Sequence, residues 1–220
     1  MNQIEFKGIL DTIIPPKKIV MQGLESGVLD SAMSALFVQK KNEIQAKQQS
    51  KSTKTSESGK KIYMRSFIAS NIVGHILVNS GHPILASAMV VGIESKFRPY
   101  LTKSKTSGQL IGLILARELT YWGGVNMSNK LTKTGDNLWN SFSTQLIFSG
   151  MLANIFDTLA GQYSNNNQTK EPFNKIKLNP KDFLTRYKES LGTRCLGCVV
   201  TPFIAFQWVY HPKSPRNNYS

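Results

Sequence analysis

SFIASNIVGHILVNSGHPILASAMVVGI, residues 66–93, contains no Asp, Glu, Lys or Arg. Two further stretches, residues 137–156 and 195–212, also lack all four charged residue types. A helix at the surface of a water-soluble protein carries charge every turn or two, because about half of its circumference meets water. Uncharged windows of about 20 residues instead match the length that a helix needs to span a bilayer. The sequence therefore predicts an all-α integral membrane bundle. A soluble helical domain with buried central helices is the alternative.

The charge of the chain is strongly basic but sits mainly between the apolar stretches. The formal net charge is +14, the pI is near 9.8 and the mean hydropathy is -0.22. Many of the Lys residues lie in connectors rich in Ser, Thr, Gln and Asn, such as residues 46–61. No zinc-finger, RNP or helix-turn-helix signature accompanies them, so nucleic acid is not the expected partner. Anionic lipid headgroups fit the same charge.

Turn signals divide the apolar stretches into six predicted helices. Ser80-Gly81-His82-Pro83 supplies a turn inside the longest stretch. The predicted helices cover about residues 19–45, 62–79, 83–100, 107–130, 137–163 and 191–210, within a membrane domain of residues 19–211. Residues 1–18 are expected to form a surface arm, residues 180–189 a short amphipathic helix and residues 212–220 a polar tail. With six spans, most of the Lys and Arg residues fall on one side of the membrane, as the positive-inside rule requires.

Small residues and two acids characterise the predicted first helix. Gly23 and Gly27 have the spacing that lets two helices approach closely in lipid. The same spacing recurs at residues 108–112. Glu25 and Asp30 are expected to face the interior of the bundle, because a charge facing lipid is costly.

The residues that usually carry enzyme chemistry are few. Cys195 and Cys198 form a Cys-x-x-Cys pair inside an apolar stretch, without a neighbouring Cys or His to complete a four-ligand metal site. They are interpreted as small side chains on a buried helix. The histidines are isolated in the sequence, and no phosphate-binding loop has a supporting context. We therefore expect no enzyme activity, no cofactor and no metal site.

The end of the first predicted helix resembles a motif of the mitochondrial carrier family. Odd-numbered carrier helices end in Pro-x-Asp/Glu-x-x-Lys/Arg-x-Lys/Arg-x-Gln. Lys41 and Gln45 occupy the Lys and Gln positions of this motif, whereas Leu36 replaces the Pro and Val38 replaces the acid.

The other predicted helices carry further remnants of the carrier pattern. Helix three ends with Glu94, Lys96 and Arg98, which keeps Lys-x-Arg but moves the acid one residue closer, and helix five contains Asp157. Arg117 with Tyr121 and Asn126 resembles carrier helix four, and Arg194 with Pro202 and Tyr210 resembles carrier helix six. The resemblance covers about 190 residues. It implies six helices in three pseudo-repeats in the inner mitochondrial membrane.

The resemblance supports two functional hypotheses. The prolines of the carrier motif are absent and its acids are lost or displaced, so a three-fold ionic gate is not expected. The first hypothesis is therefore a carrier-like protein that has lost transport and serves as an accessory subunit of a respiratory-chain complex, among other membrane subunits. The second is a working carrier of an amino-acid-like or carboxylate metabolite. The family places substrate contacts on even-numbered helices, which implies Arg117 and Arg194 for a carboxylate and Glu118 for an amine.

A structural role for Arg117 and Glu118 is the alternative to substrate binding. Neighbouring residues on a helix point about 100° apart, so these two are not expected to pair with each other face to face. They would instead neutralise other buried charges, for example Glu25 or Asp30.

Overall fold

The computed structural model describes residues 17, 19–32, 57–102, 107–166, 179–200, 202–204 and 206. Its regular secondary structure is helical throughout these residues, which confirms the all-α prediction for them. The α-helices are α1 (residues 19–32), α2 (Glu57–Asn79), α3 (Pro83–Thr102), α4 (Gly108–Lys133), α5 (Leu138–Gln145), α6 (Ala153–Asn166) and α7 (Pro180–Arg194). A π-helical segment, Leu146–Leu152, joins α5 to α6, and a second one, Cys195–Val200, continues directly from α7.

Local sequence signals account for the helix ends. Gly81 has φ of 87° in the turn between α2 and α3, a backbone conformation that glycine adopts without steric cost. The hydroxyl of Ser107 caps α4 by accepting a hydrogen bond from the backbone N–H of Leu110. The Asn179 side chain caps α7 in the same way, and Pro180 occupies its first turn, where no backbone donor is needed.

Several described helices extend beyond their predicted limits, and the difference is largest for α2 and α7. α2 begins at Glu57 and so includes the end of the polar connector. α7 runs without a break from Pro180 into the second π-helical segment, so the predicted amphipathic helix and the start of the sixth predicted helix form one helical run. The π-helical segments were not expected, because the composition of a few residues does not distinguish i→i+5 from i→i+4 hydrogen bonding.

Glycine contacts hold α1 against α2. A Cβ atom added to Gly23 would lie 2.6 Å from the Cα of Ile76, and one added to Gly27 would lie 2.5 Å from the Cα of Ile72. Both glycines therefore allow the two backbones to approach, as their spacing predicts. In the second spacing, residues 108–112, added Cβ atoms would meet no described atom within 4 Å.

The remaining helices pack in sequence order. α2 lies along α3, α3 contacts α4, and α4 contacts α5, the first π-helical segment and α6. α7 packs on α6, and the two π-helical segments contact each other. Two apolar clusters fill the interior between these helices. The first comprises Val78, Ala86, Val90, Tyr121, Trp122, Val125 and Ala153, and the second comprises Val91, Leu110, Ile114, Ala160 and Tyr163.

Many interior residues are polar and many exposed residues are apolar. The buried polar residues include Asp30, His75, Asn79, Glu118, Asn129, Gln145 and Asn154. The exposed large apolar residues include Leu24, Val28, Ile84, Leu85, Leu119, Met127, Trp139, Ile147 and Leu196. Within the described part of the chain, no helix is both long enough and apolar enough to cross a membrane.

Candidate functional site: a buried ionic centre

Arg117 lies at the centre of a cluster of charged side chains. From α4 it pairs with Glu94 on α3 and with Asp157 on α6, where its Nη1 donates to Oδ1 at 3.0 Å. Its Nε also donates to Oε1 of the neighbouring Glu118, at 2.8 Å. The Arg117 side chain is 14% exposed, so these ion pairs form in a largely desolvated environment. We call Arg117, its three carboxylate partners and Arg194 the ionic centre.

Arg194 extends the ionic centre to the end of α7. Its Nη1 lies 3.4 Å from Oδ2 of Asp157, so this carboxylate bridges two arginines on different helices. Its Nε donates to the backbone carbonyl of Ser149 at 3.2 Å. The Ser149 hydroxyl in turn donates to the carbonyl of Tyr121 at 2.7 Å. Ion pairs and hydrogen bonds therefore connect α3, α4, α6, α7 and the first π-helical segment.

An aromatic pair lies directly beside the ionic centre. The indole Nε1 of Trp122 donates to Oε2 of Glu118 at 2.8 Å, so Glu118 contacts both Arg117 and the indole. The Trp122 and Tyr121 rings meet edge to face, with centroids 4.8 Å apart. Gly74 on α2 makes room for the indole, because a Cβ at this position would overlap the Trp122 ring.

A second buried polar cluster joins α1, α2 and α4. His75 Nε2 and the Tyr121 hydroxyl each lie 3.1 Å from Oδ2 of Asp30. All three side chains are buried. The imidazole also meets the Trp122 ring edge to face at 5.0 Å between centroids. The expectation that Asp30 faces the interior of the bundle therefore agrees with its position. We call Asp30, His75 and Tyr121 the histidine cluster.

A third polar cluster lies where α2 and α4 end. Asn129 Nδ2 donates to Oδ1 of Asn79 at 2.9 Å, and Lys133 Nζ lies 3.5 Å from the backbone carbonyl of Asn79. Burial lowers the pKa of the Lys133 ammonium below its usual value, because desolvation disfavours the charged form. These contacts fasten the end of α4 to the turn between α2 and α3.

The expectation that Arg117 and Glu118 do not pair with each other is wrong. Adjacent positions do diverge by about 100° at the backbone, but the long arginine side chain turns its guanidinium back to the carboxylate. The described carboxylate partners of Arg117 are Glu94, Asp157 and Glu118. The suggested partners Glu25 and Asp30 are not among them, and Asp30 instead contacts the histidine cluster.

Five of the residues that the carrier resemblance assigns to substrate binding or to the gate meet in the ionic centre. They are Glu94, Arg117, Glu118, Asp157 and Arg194. Lys96 is instead exposed, with its Nζ 5.8 Å from the Phe97 ring centroid, and Arg98 lies within α3. Lys41 and Gln45 lie outside the described residues.

The two cysteines contact different neighbours. Neither cysteine forms a disulfide bond, and both are half-buried. Cys195 Sγ is close to Gly150 in the first π-helical segment, whereas Cys198 packs against the first apolar cluster. Among the described residues, no group of three or more His, Cys, Asp and Glu side chains is arranged to hold a metal ion.

Sequence reasoning missed the histidine cluster and the contact between Glu118 and Trp122. A signal for the second was available, since Ile114, Glu118 and Trp122 follow one another at i+4 spacing and fall on one buried face of α4. No comparable signal links His75 to Asp30, which lies 45 residues earlier in the chain.

Comparisons with known proteins do not assign this chain to a family. No family model, curated protein or solved structure has significant similarity to it.

Proposed function

We propose that this chain is a carrier-like protein of the inner mitochondrial membrane that does not transport and serves as an accessory subunit of a respiratory-chain complex. The proposal rests on one observation: the candidate substrate-binding residues pair with one another or with two acids of the predicted gate. Arg117 and Arg194 both form ion pairs with Asp157, and Arg117 also forms ion pairs with Glu94 and Glu118. A solute would have to displace these contacts in order to bind.

The distribution of polarity supports the membrane part of the proposal. Leu119 and Ile84 expose 41% and 73% of their surface, whereas Glu118, His75 and Asn154 are buried. In lipid, helices gain nothing by burying apolar side chains against one another, so close glycine contacts and interior polar pairs hold them together. The contacts of Gly23 and Gly27 with α2 and the ionic centre are of these two kinds.

The partners of the acids support the loss of transport. In carriers, acids and bases at the ends of the odd-numbered helices pair with each other and separate as access alternates. Here the corresponding acids, Glu94 and Asp157, pair with arginines that the carrier pattern places on even-numbered helices. Removing one member of a buried ion pair costs about 3–5 kcal/mol. The ionic centre is therefore better suited to stabilise the packing of the helices than to separate during transport.

A working carrier of an amino-acid-like solute is the alternative. The observation that favours it is the convergence of Arg117, Glu118 and Arg194, because two guanidinium groups suit a carboxylate and one acid suits an amine. In this function the acids would release the arginines when the solute binds.

Three measurements test the proposal. Alkaline extraction of mitochondria should leave the protein in the membrane pellet, and its release into the aqueous fraction would contradict the membrane location. Solubilisation in mild detergent should then yield co-migration with a respiratory assembly whose other subunits are identified by mass spectrometry. The purified protein reconstituted in vesicles should exchange none of a panel of labelled amino acids and dicarboxylates.

A matched pair of variants separates the two functions. Arg194 belongs to the ionic centre, whereas Arg186 on the same helix pairs locally with Asp182. An exchange activity that is lost in Arg194→Met and retained in Arg186→Met would establish the carrier and refute the accessory role. If neither the wild type nor Arg186→Met exchanges a solute and the wild type co-migrates with the assembly, the accessory role is supported.

A further inference from the structure

We propose that one end of the bundle contacts the headgroups of anionic phospholipids, with Trp139 at the boundary between headgroups and acyl chains. This end contains the α2–α3 turn, residues 80–82, the α4–α5 turn, residues 134–137, and the helix residues next to them. We call it the turn end. The inference rests on the membrane location in the proposed function. It adds the depth at which the turn end lies and the class of lipid that it contacts.

Contacts between α2 and α4 place the two turns at the same end of the bundle. Near the end of α4, Asn129 Nδ2 donates to Oδ1 of Asn79, the last residue of α2, at 2.9 Å. Lys133, the last residue of α4, lies with its Nζ 3.5 Å from the backbone carbonyl of Asn79. Each turn contains a glycine with positive φ, Gly81 at 87° and Gly135 at 77°. Two turns that are distant in the sequence therefore lie side by side.

Large apolar side chains are exposed directly beside these turns. In the first turn of α3, Ile84 and Leu85 are 73% and 49% exposed, and in the first turn of α5, Leu138 and Trp139 are 47% and 69% exposed. The Trp139 ring packs on that of Phe142, with centroids 5.9 Å apart. An indole combines a large apolar body with one N–H donor, so tryptophan is enriched where acyl chains meet headgroups. The exposed indole therefore fits the boundary of a bilayer.

The charged residues of the turn end are mostly basic. Lys130 and Lys133 are exposed at the end of α4, and Lys17 is exposed just before α1. α1 starts at the turn end, because its first glycine packs nearer to the end of α2 than its second one does. Among the described residues of this end, Asp136 is the one acid, and it accepts hydrogen bonds from residues 137 and 140. Three lysines and one acid suit the phosphates of anionic headgroups.

The length of α4 indicates the depth that the exposed residues of the bundle should reach. Leu119 is exposed and lies about 21 Å from the end of α4, at 1.5 Å per residue. Half of the hydrocarbon core of a bilayer is about 15 Å thick. When the turn end lies among the headgroups, Leu119 therefore lies near the middle of the core. Its position provides a matched control for that of Trp139.

Quenching of tryptophan fluorescence by brominated lipids tests the depth of Trp139. The protein is reconstituted in vesicles of phosphatidylcholine and phosphatidylglycerol. The signal of Trp139 is the difference between Trp208→Phe and Trp139→Phe/Trp208→Phe, because the buried Trp122 contributes to both. The control Leu119→Trp is made in the second of these backgrounds. We expect bromines close to the glycerol ester to quench Trp139 more strongly than bromines close to the end of the acyl chain, and the reverse for Leu119→Trp.

The two reporters distinguish failure of this inference from failure of the membrane location. Stronger quenching of Trp139 by the deep bromines would overturn the inference and leave the membrane location intact. Quenching of Leu119→Trp without quenching of Trp139 would also overturn it, because the turn end would then extend into water. If no brominated lipid quenched either reporter, the membrane location would fail and the inference with it.

The lysines are tested by comparing two brominated lipids at equal fractions in the Trp208→Phe background. Brominated phosphatidylglycerol should quench Trp139 more strongly than brominated phosphatidylcholine. Lys17→Gln/Lys130→Gln should reduce this preference by up to about fivefold for each lysine, the contribution of one lysine near an anionic surface. The control Lys61→Gln/Lys181→Gln, at exposed positions on α2 and α7 away from the turn end, should retain it. Equal quenching by the two lipids, or an equal loss in both double variants, would overturn the assignment to anionic lipid.

Discussion

The interior of the described helices contains many polar residues beside its apolar clusters, and their outer surface contains many large apolar residues. Two consecutive residues of α4 illustrate the difference: Glu118 is buried between Arg117 and Trp122, whereas Leu119 is 41% exposed. In water the hydrophobic effect favours the reverse arrangement, with the leucine inside. Polar contacts, and not apolar area alone, therefore determine how these helices associate.

Removal of the central charge should produce the largest effect. Arg117→Met leaves the carboxylates of Glu94, Glu118 and Asp157 without the guanidinium that pairs with all three. We expect the free energy of unfolding to fall by about 3–5 kcal/mol, as is typical when one member of a buried ion pair is removed. Thermal and chemical unfolding of the purified protein would measure the loss.

Arg186→Met provides the control for Arg117→Met. Arg186 pairs with Asp182 at 2.9 Å, but its side chain is 38% exposed. The expected loss is at most about 1 kcal/mol, because water and salt screen exposed pairs. Equal losses in the two variants would show that the ionic centre is no more important to stability than a surface pair.

A charge on the outer surface should produce the next largest effect. If Leu119 faces lipid, Leu119→Lys adds a cost of about 2.5–3.5 kcal/mol to membrane insertion. We therefore expect the variant to be depleted from the alkali-resistant membrane fraction, while the control Leu119→Met remains in it. If Leu119 faces water, a surface substitution changes stability by only about 0.5 kcal/mol and both variants behave alike.

Alanine substitutions at the two glycine spacings should have smaller effects on the free energy of unfolding, and these effects should be opposite in sign. Gly27→Ala forces a Cβ against the backbone of Ile72, so we expect a loss of about 1–3 kcal/mol in the free energy of unfolding. An added Cβ at Gly112 meets no described atom within 4 Å, so Gly112→Ala should stabilise α4 by about 0.5–1 kcal/mol. Thermal unfolding of both variants measures the contrast. Destabilisation by Gly112→Ala would indicate a partner surface at that face.

The same glycines indicate how far the fold was predictable from the sequence. The charge-free stretches and the turn at Gly81 predict helices that the described residues contain. The spacing of Gly23 and Gly27 also predicts a close helix contact, but the same spacing at residues 108–112 predicts a contact that the described residues do not provide. Spacing places two small residues on one face of a helix, whereas the neighbouring helix decides whether that face is covered.

The sequence identifies the residues of the ionic centre, but it does not predict which of them pair with each other. The carrier resemblance singles out Arg117, Asp157 and Arg194 by their positions in the sequence. Their pairing depends on tertiary distances between helices and on the reach of a flexible guanidinium, neither of which a helical pattern contains. The contact between Asp30 and His75 depends on the approach of α1 to α2, so no local pattern predicts it.

The smallest predicted effect concerns a charge at the surface of α7. Hydrogen bonds from Arg186, together with one from Gln162 on α6 and the nearby positive charge, lower the pKa of the Asp182 carboxyl below its usual value. Because the carboxylate is favoured in the folded state, its contribution is complete above the pKa of the unfolded chain and is lost as the pH falls through the lower folded value. Asp182→Asn should therefore cost about 0.3–0.5 kcal/mol near neutral pH, in the range of exposed i,i+4 pairs, and the difference from wild type should vanish in acid. Thermal unfolding measured from neutral to acidic pH tests this, with Glu189→Gln, an exposed acid on the same helix, as the matched control. A difference that grows in acid would contradict the lowered pKa of the Asp182 carboxyl in the folded protein.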